Sequence, residues 1–388
     1  MSKPVSESDF TPTAPPPGLR LTASDRPGVA QPVPVRDIPS QPWHAVFLGA
    51  AALFVALMAG WEWYWRDFGV TPSYRNSNGQ WASERRRIDE GEGGKTVLIG
   101  SSRMLFDVQL PVWERVTGER PIQLAMEGTS AMLPMEDLAA DPNFTGRLLI
   151  DITPLGFFAT EPTRADIVPY FHKQSPSQRV GNWLSMTFLE PYLAFYDPDF
   201  ALATVFRRQG WPIRPGVPDR ALPRKLVNHD IDRNSRMWSK AETDPEYHAL
   251  VRQRWSQTFG DPLPPEMDTP EKAAKVIDEK ITRAHKAIDT LRKRGVKMVL
   301  LRPPSSGPYL ERENRLLPRE KTWDLLVART GLPSIYFEDY PELMGYELPE
   351  WSHLSASEAD RFTAALVPIA ERKFAEIDAV RPGASRPR

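Results

Sequence analysis

Residues 96–102 read TVLIGSS, and this stretch decides how the rest of the chain is interpreted. Its first four residues form a short apolar run of the kind found in strands that are buried on both faces of a sheet. Gly100 follows at once and lets the backbone turn sharply, so Ser101 and Ser102 come directly after the strand. In parallel α/β sheets, functional side chains collect at the carboxyl ends of strands. We therefore predict that Ser102 lies at such an edge.

Short apolar runs of the same kind recur along the chain and indicate the fold class. They cover residues 121–125, 147–152, 296–301 and 334–337. Amphipathic helices are predicted over residues 268–294, 323–329 and 355–377. This alternation of strands and helices predicts an α/β fold with a parallel central sheet and helices on both of its faces.

The composition excludes several classes of protein. With 49 basic and 50 acidic side chains the formal net charge is -1, so there is no electrostatic case for a nucleic-acid partner. The nearest basic run, Arg85 to Arg87 beside Glu84, is interpreted as a solvated face. The chain has no cysteine, which excludes disulfides, thiol catalysis and thiolate-bound metals. We expect neither a metal site nor a cofactor.

The N-terminal region divides into a tail and an apolar span. Residues 1–42 are rich in proline, serine, threonine and alanine without hydrophobic periodicity, which predicts a disordered tail. Residues 43–65 contain an uncharged stretch flanked by aromatic residues, which predicts a transmembrane anchor in a lipid bilayer. A cleaved signal peptide is the main alternative, but the preceding region is too long and no small-residue cleavage site follows. Basic residues are nearly balanced on the two sides, so charge does not settle the topology.

Three further segments complete the predicted organisation. Residues 66–94 are polar and end in a glycine-rich stretch, which predicts a membrane-proximal linker with room for a short helix. One folded domain is expected over residues 95–377, followed by a second disordered tail over 378–388. Within the domain, residues 160–267 hold many prolines, several tryptophans and no strong period, and we interpret them as a long, mostly helical insertion. The insertion is either a lid or docking platform, or simply additional core.

A second segment, far along the chain, supplies the partners that a reactive serine needs. Residues 350–354 read EWSHL and lead into the last predicted helix. A serine becomes a nucleophile when a base takes its proton and an acid orients that base. Because Glu350 precedes His353 by three positions, we predict a triad of Ser102, His353 and Glu350. A capping or solvent-exposed role is the alternative for His353, since it precedes a helix.

These two segments resemble the SGNH (GDSL-type) hydrolase superfamily. Residues 100–102 resemble its Gly-Asp-Ser block, and residues 350–353 resemble its closing Asp-x-x-His block. The resemblance implies a flavodoxin-like three-layer sandwich over residues 95–377. The roles it implies are nucleophile for Ser102, base for His353 and orienting acid for Glu350.

The resemblance also places the oxyanion hole at the backbone N–H groups of Ser102 and Gly128, but the chain departs from the family pattern. Ser101 replaces an aspartate that is not a triad member, and Glu350 is one methylene longer than the usual acid. The third block, Gly-x-Asn-Asp, is not recognisable, since residues 151–154 read DITP. Loss of one oxyanion donor costs about two to three orders of magnitude in rate, roughly 3–4 kcal/mol.

Other residues are weaker candidates. Arg103 follows the nucleophile, and Arg302 and Ser305 lie at the carboxyl end of the fourth predicted strand, so we expect these three to contact substrate. The alternative for Arg302 and Ser305 is that they only mark the end of a strand that prolines terminate, without contact to substrate. Asp339 is the fallback acid if Glu350 points away.

The anchor and the insertion are similar to membrane-tethered SGNH-like proteins of bacterial envelopes, which resemble polysaccharide O-acyltransferase proteins. This similarity implies a single-pass protein of the bacterial inner membrane with a periplasmic domain and a membrane-bound acyltransferase or synthase partner. The expected function is a serine esterase or O-acyltransferase acting on an acylated envelope polysaccharide or a lipid-linked glycan. Two alternatives remain: a catalytically degenerate fold that binds glycan or acts as a scaffold, and a lipase or thioesterase acting on membrane lipids.

Overall fold

The computed structural model describes residues 40–159, 163–208 and 223–380, and the chain divides after Gly60 into two compact units. The described part of the first unit belongs to helix α1, Trp43–Asp67, whose last turns lie in the second unit. Among the described residues, α1 is the one helix long and apolar enough to cross a membrane, and none of its most apolar window is buried. The predicted tail up to residue 39 lies outside the described residues.

The second unit is built on a parallel sheet. In chain order the strands are β1 Thr96–Ile99, β2 Ile122–Gln123, β3 Arg147–Asp151, β4 Val227–His229, β5 Ser235–Met237, β6 Lys297–Arg302 and β7 Ser334–Tyr336. Five of them form one sheet in the order β2–β1–β3–β6–β7, with every neighbouring pair parallel. The predicted α/β class and parallel central sheet are therefore confirmed.

The register of this sheet brings the end of β1 beside the end of β3. Ile99 pairs with Ile150, and Asp151, one residue further, pairs with Leu301 of β6. The turn that follows β1 consequently meets the Asp151 side chain. All strand residues of β1 are buried, as the uninterrupted apolar run predicts for a strand covered on both faces.

Thirteen further α-helices lie in the described part of the second unit. They are α2 Asn78–Arg87, α3 Ser102–Asp107, α4 Leu110–Thr117, α5 Met132–Ala140, α6 Ile167–Lys173, α7 Pro176–Phe188, α8 Leu202–Arg207, α9 Ser239–Thr243, α10 Pro245–Ser256, α11 Pro270–Arg294, α12 Gly307–Leu316, α13 Trp323–Thr330 and α14 Ala356–Val380. Helix α14 contacts α3, α4 and β6, whereas α11 contacts α5, α13 and β6.

Helix α11 shows how the local sequence sets these boundaries. The Thr269 hydroxyl accepts a hydrogen bond from the Lys272 N–H at 3.3 Å, and Pro270 occupies the first turn, where its missing N–H is not needed. Gly295 ends the helix with φ of 97°, a left-handed conformation that favours glycine. The apolar residues at helical spacing, such as Ile281 and Ile288, are buried.

The structure differs from the predicted linker over residues 66–94. Helix α2 forms there, and the Trp81 side chain is 0% exposed with its indole N–H donating to the Leu124 carbonyl at 3.0 Å. Arg85, interpreted as part of a solvated face, is buried and bonds Asp137 and Asp141, each at 2.6 Å. The charged residues that make this segment polar are paired within the folded unit. This part of the chain therefore belongs to the domain.

Residues 160–267 contain helices α6 to α10 and the antiparallel hairpin β4–β5, which the sequence did not reveal. The bend of the hairpin places Arg233 at φ of 66°, and this buried guanidinium donates to the carbonyls of Gln123 at 3.1 Å and Ala125 at 2.7 Å. The insertion therefore fixes the end of β2, from which the chain runs to Gly128. Trp211 lies outside the described residues.

Predicted and observed boundaries agree closely elsewhere. The last helix extends three residues beyond the predicted 355–377, to Val380, and so includes the start of the segment predicted as a tail over 378–388. Residues 381–388 lie outside the described part of the chain.

Candidate active site

The candidate nucleophile lies on a turn that admits only glycine before it. A Cβ added at Gly100 would lie 2.4 Å from the Asp151 Cβ, so no side chain fits there. Ser101 then caps helix α3, because its hydroxyl oxygen accepts from the Arg103 N–H at 3.2 Å. The Ser101 N–H and O–H both donate to Asp151 Oδ2, at 2.8 and 2.6 Å. These bonds hold the turn and leave Ser102, the first residue of α3, half-buried in a cleft.

Ser102, His353 and Glu350 form one continuous chain of hydrogen bonds. The distance from Ser102 Oγ to His353 Nε2 is 2.8 Å, and the distance from His353 Nδ1 to Glu350 Oε1 is 2.6 Å. A carboxylate accepts only, so it fixes the tautomer in which Nδ1 carries the proton and Nε2 accepts from the serine hydroxyl. His353 and Glu350 are 3% and 1% exposed, which protects both bonds from water.

The loop that carries the acid and the base is fixed at several points. The imidazole of His353 stacks on the Phe106 ring of α3, with 4.1 Å between ring centres. Trp351, between the acid and the base, has φ of 71°, an uncommon conformation for a residue with a side chain, and its carbonyl accepts from the Ser306 N–H at 2.9 Å. The Leu354 N–H donates to Asp107 Oδ1 at 3.0 Å. The loop is therefore held on both sides of His353.

Trp255 supplies the second hydrogen bond to the Glu350 carboxylate, a role that the sequence did not predict. Its indole N–H, on helix α10 of the insertion, donates to Glu350 Oε2. Both oxygens of the buried carboxylate are thereby satisfied. One aromatic residue in a stretch rich in tryptophan carries no sequence signal for this contact, because the two residues are 95 positions apart.

Asp107 is a second buried carboxyl beside the base. Burial raises its pKa to about 7, against the opposing influence of His353, the Leu354 N–H and Arg103. Its Oδ2 has no hydrogen-bond partner among the described residues. This site therefore holds a carboxyl that changes protonation near neutral pH, at a position where the sequence shows only the end of a short helix.

A cleft of about 410 Å³ opens onto the triad and is lined by Ser102, Phe106, Gly128, Trp255 and His353, among others. Gly128 has φ of 65°, and a Cβ there would lie 2.8 Å from Thr163 Oγ1, so glycine is required on both counts. In the described part of the chain no acceptor is bonded to the N–H of Gly128 or of Ser102. The structure thus brings the two predicted oxyanion donors to the same cleft with their N–H groups unused.

Asn76 also lines this cleft, and its amide is a donor without a partner. Its Nδ2 is closed off from solvent and has no hydrogen-bond partner within the described ranges. The Asn76 Oδ1 accepts from Arg233 Nη1 at 2.7 Å, and its backbone carbonyl accepts from Arg164 Nη2 at 2.9 Å. Burial lowers the pKa of Arg233 to about 9, with Arg164 acting in the same direction. Sequence reasoning missed Asn76 because it lies in the segment predicted as a linker.

Residues 151–154, at the position of the third sequence block, have a structural role in this chain. Asp151 stands at the end of β3, and its carboxylate accepts both bonds from Ser101. Burial raises the pKa of Asp151, while the Ser101 hydrogen bonds and Arg103 oppose the shift. An acceptor committed to the turn cannot donate to an oxyanion, so the missing asparagine has no replacement on this strand.

Three residues predicted to contact substrate lie elsewhere. Arg103 is 1% exposed, with Nη2 at 3.1 Å from Glu313 Oε1 and Nε donating to the Ser352 carbonyl at 3.2 Å. Arg302 and Ser305 are also buried and bond the other oxygen of Glu313, at 2.7 and 2.9 Å. None of the three lines the cleft. They form a buried ion network behind the His353 loop, which gives them a structural role instead.

The fallback acid also lies elsewhere. Asp339 is half-exposed and pairs with Arg319 at 2.6 Å. The carboxylate bonded to His353 is that of Glu350.

Comparisons with protein-family models, with curated proteins and with solved structures find no match to this chain. Any functional conclusion therefore rests on the fold and on the geometry of the cleft. Within the described residues no group of three or more histidine, aspartate or glutamate side chains is arranged to hold a metal ion.

Proposed function

We propose that the protein is a membrane-anchored serine esterase or O-acyltransferase. The observation that carries this proposal is the unbroken relay from Glu350 through His353 to Ser102, with bonds of 2.6 and 2.8 Å at the mouth of a cleft. The strand order β2–β1–β3–β6–β7 supports the flavodoxin-like arrangement that the resemblance implies. Ser102 follows the first strand and His353 precedes the last helix, as that resemblance also implies.

In the first step, Ser102 Oγ forms a bond to the carbonyl carbon of an ester while its proton moves to His353 Nε2. Glu350 holds the imidazole in place and stabilises the imidazolium that results. The negative charge that develops on the carbonyl oxygen is held by the N–H groups of Ser102 and Gly128 and by the Asn76 amide. The unused N–H groups and the unpartnered Nδ2 support this assignment.

The tetrahedral intermediate then collapses. The carbon–oxygen bond to the leaving alcohol breaks, and His353 Nε2 gives its proton to that oxygen, which leaves an acyl group on Ser102. In the second half, water or an acceptor hydroxyl gives its proton to His353 and attacks the acyl carbon. Release of Ser102 Oγ, with return of the proton, yields a free acid with water or a new ester with an acceptor.

The substrate and setting are part of the same proposal. We infer an acylated cell-envelope polysaccharide or a lipid-linked glycan as substrate, on the periplasmic side of a bacterial inner membrane, with a membrane-bound acyltransferase or synthase as partner. The apolar helix α1 supports a single-pass anchor. Aromatic side chains in the cleft, Tyr74 and Trp255, suit a sugar, because sugar rings stack on aromatic faces.

One observation favours a second candidate, a glycan-binding or scaffold protein without catalysis. The residue that ends β3 is Asp151, which is occupied by Ser101 and supplies no oxyanion donor. In that case the triad would be a relic that keeps its geometry without chemistry.

A fluorophosphonate probe separates the two candidates, because it forms a covalent bond only with an activated serine. We expect the full-length protein in detergent to carry one adduct on Ser102, found by peptide mass spectrometry. The adduct is lost in Ser102→Ala and in His353→Ala, and it is kept in His285→Ala, a matched change at a partly exposed position on α11, away from the cleft. A folded protein that forms no adduct would favour the binding protein.

A further inference from the structure

The guanidinium groups of two arginines in the serine cleft have no carboxylate partner in the described part of the chain. Two acidic residues of the cleft pair with cations, since Asp197 lies 2.5 Å from Lys225 and Asp199 lies 2.8 Å from Arg208, whereas Glu127 lies 3.4 Å from the His229 ring. Arg75 and Arg224 line the same cleft, and within the described ranges neither guanidinium bonds a carboxylate; the Arg75 backbone N–H donates to Glu190 Oε2 at 2.8 Å. The cleft therefore contains two guanidinium groups without an ion-pair partner among its own acidic side chains.

Each of these two guanidinium groups packs against an aromatic ring. Arg75 lies over the Tyr196 ring at 5.3 Å, and Arg224 lies over the Trp65 ring at 5.5 Å. Arg75 Nε and Arg224 Nη1 are closed off from solvent and lack a hydrogen-bond partner among the described residues. A guanidinium with unused N–H groups binds a phosphate or carboxylate through parallel hydrogen bonds. These two side chains favour an anionic ligand.

Arg224 belongs to two pockets at once. Besides the serine cleft, it lines a second pocket of about 350 Å³ whose other walls are Trp61, Tyr64, Trp65, Leu202, Val205 and Phe206. Tyr64, Leu202 and Phe206 are 53%, 57% and 60% exposed. Arg224 therefore lies between the serine cleft and an adjacent apolar pocket.

The end of helix α1 forms one wall of this second pocket, and hydrogen bonds fix it to residues 192–195. The Glu62 carboxylate accepts from the N–H groups of Ala194 and Phe195 at 2.9 and 3.1 Å. Arg66 donates to the Tyr192 carbonyl at 2.9 Å. Trp61 and Tyr64 follow the apolar stretch directly in the sequence, at positions where aromatic residues of membrane proteins lie level with lipid headgroups. This position, directly after the apolar stretch, favours a ligand that combines a hydrocarbon chain with a phosphate.

We propose that the cleft takes a lipid phosphate, with the phosphate on Arg224 and Arg75 and the hydrocarbon chain in the aromatic pocket. An anionic polysaccharide without a lipid would use the arginines but leave the apolar pocket empty. Calling this ligand the substrate rests on the proposed function, since the reacting ester must then reach Ser102. A polyprenyl phosphate and a phospholipid share this chemistry, and the experiment below distinguishes them.

Native mass spectrometry of the full-length protein, released from detergent, tests the binding itself. The probes are a polyprenyl monophosphate and phosphatidylglycerol, each compared with its uncharged counterpart, polyprenol or diacylglycerol. We expect one of the phosphate lipids to bind and its uncharged counterpart to bind about tenfold more weakly. Arg224→Gln and Arg75→Gln each lower the affinity about tenfold, and Arg207→Gln, an exposed charge change on the neighbouring helix α8, does not. Leu202→Ser weakens the long-chain lipid and leaves glycerol phosphate binding unchanged.

Equal binding of charged and uncharged lipids, or equal losses in Arg224→Gln and Arg207→Gln, would overturn the proposal. Fluorophosphonate labelling in the presence of the bound lipid keeps this result separate from the proposed chemistry. Slower labelling of Ser102 by the lipid in wild type, but not in Arg224→Gln, shows that the lipid reaches the serine. Lipid binding without any labelling would retain the lipid site and reject the serine chemistry, and labelling without lipid binding would do the reverse.

Discussion

The indole N–H of Trp255 donates to one oxygen of Glu350, while the other oxygen of that carboxylate accepts from His353 at 2.6 Å. A residue of the insertion therefore completes a relay whose other members, Ser102, Glu350 and His353, come from the first strand–helix turn and from the loop before the last helix. Glu350 is 1% exposed, and a carboxylate buried to that degree needs a partner for each oxygen. The insertion is part of the catalytic geometry we propose, and not only a cover over it.

Replacing Trp255 with phenylalanine removes this hydrogen bond and keeps an aromatic ring against Tyr309, 5.5 Å away in the native protein. A hydrogen bond to a charged group contributes about 1.5–3 kcal/mol, so the fluorophosphonate labelling rate of Ser102 should fall about tenfold or more. Trp183→Phe, at a residue 58% exposed in the same insertion, is the control and should label like wild type. A Trp255→Phe protein that labels at the native rate would mean that the indole has no part in orienting the acid.

Glu350→Gln tests the acid itself. The amide keeps the size of the side chain but offers Nδ1 of His353 a donor or a weaker acceptor, which upsets the tautomer that Ser102 needs. We expect hydrolysis of p-nitrophenyl acetate to fall by about three to four orders of magnitude, with a native melting temperature within a few degrees. Glu350→Asp keeps the charge and should lose part of the activity, because the 2.6 Å contact lengthens. Full activity in Glu350→Gln would remove Glu350 from the relay.

The central fold and the triad could both be predicted from the sequence for related physical reasons. Buried parallel strands are short uninterrupted apolar runs, and the prediction for β1 matches the structure residue for residue. A glycine after such a strand marks a turn, and Ser102 lies on it. The pairing of Glu350 with His353 followed from their spacing of three residues, which is local information.

The remaining site residues could not be predicted, because their roles depend on contacts between distant parts of the chain. Asn76 lies in a polar segment whose charges suggest a linker, and only the paired Arg85 and Asp137 show that this segment is buried. Arg302 was predicted for substrate from its place at a strand end, but Glu313, eleven residues later, binds it inside the domain. The position of a residue in the sequence predicts which edge of the sheet it lies at, but it does not predict which way its side chain points.

Asn76→Asp tests the amide donor in the cleft. The carboxylate keeps the pair with Arg233, whose Nη1 lies 2.7 Å from Oδ1, but it has no N–H to offer. We expect the turnover of p-nitrophenyl acetate to fall about 10²- to 10³-fold, as for the loss of one oxyanion donor. Asn314→Asp, at an exposed position on α12 outside the cleft, is the control. Equal rates in the two variants would show that Asn76 does not reach the developing charge.

Glu313→Gln tests the buried network that holds the His353 loop. Glu313 is 0% exposed and lies 3.1 Å from Arg103 and 2.7 Å from Arg302, so the substitution leaves two buried guanidinium groups without their ion-pair partner. Breaking a buried pair in this way costs about 3–5 kcal/mol of unfolding free energy. Thermal unfolding of the full-length protein, followed by tryptophan fluorescence, should show a markedly lower midpoint. Glu311→Gln, on the exposed side of the same helix, should leave the midpoint unchanged.

Asp107→Asn should stabilise the protein at high pH and not at low pH. Burial raises the pKa of Asp107 from 3.8 to about 7, so the folded state binds a proton that the unfolded state has released between these values. Stability from this group is therefore present below about pH 4 and is lost as the pH rises towards 7. Asparagine can still accept from the Leu354 N–H, which lies 3.0 Å from Asp107 Oδ1, and it never has to bury a charge. The difference in unfolding free energy between variant and wild type should grow from near zero at pH 4 to at most about 4 kcal/mol at pH 8. Thermal melts at both pH values measure it, and a difference that does not change with pH would show that Asp107 titrates at its ordinary pKa.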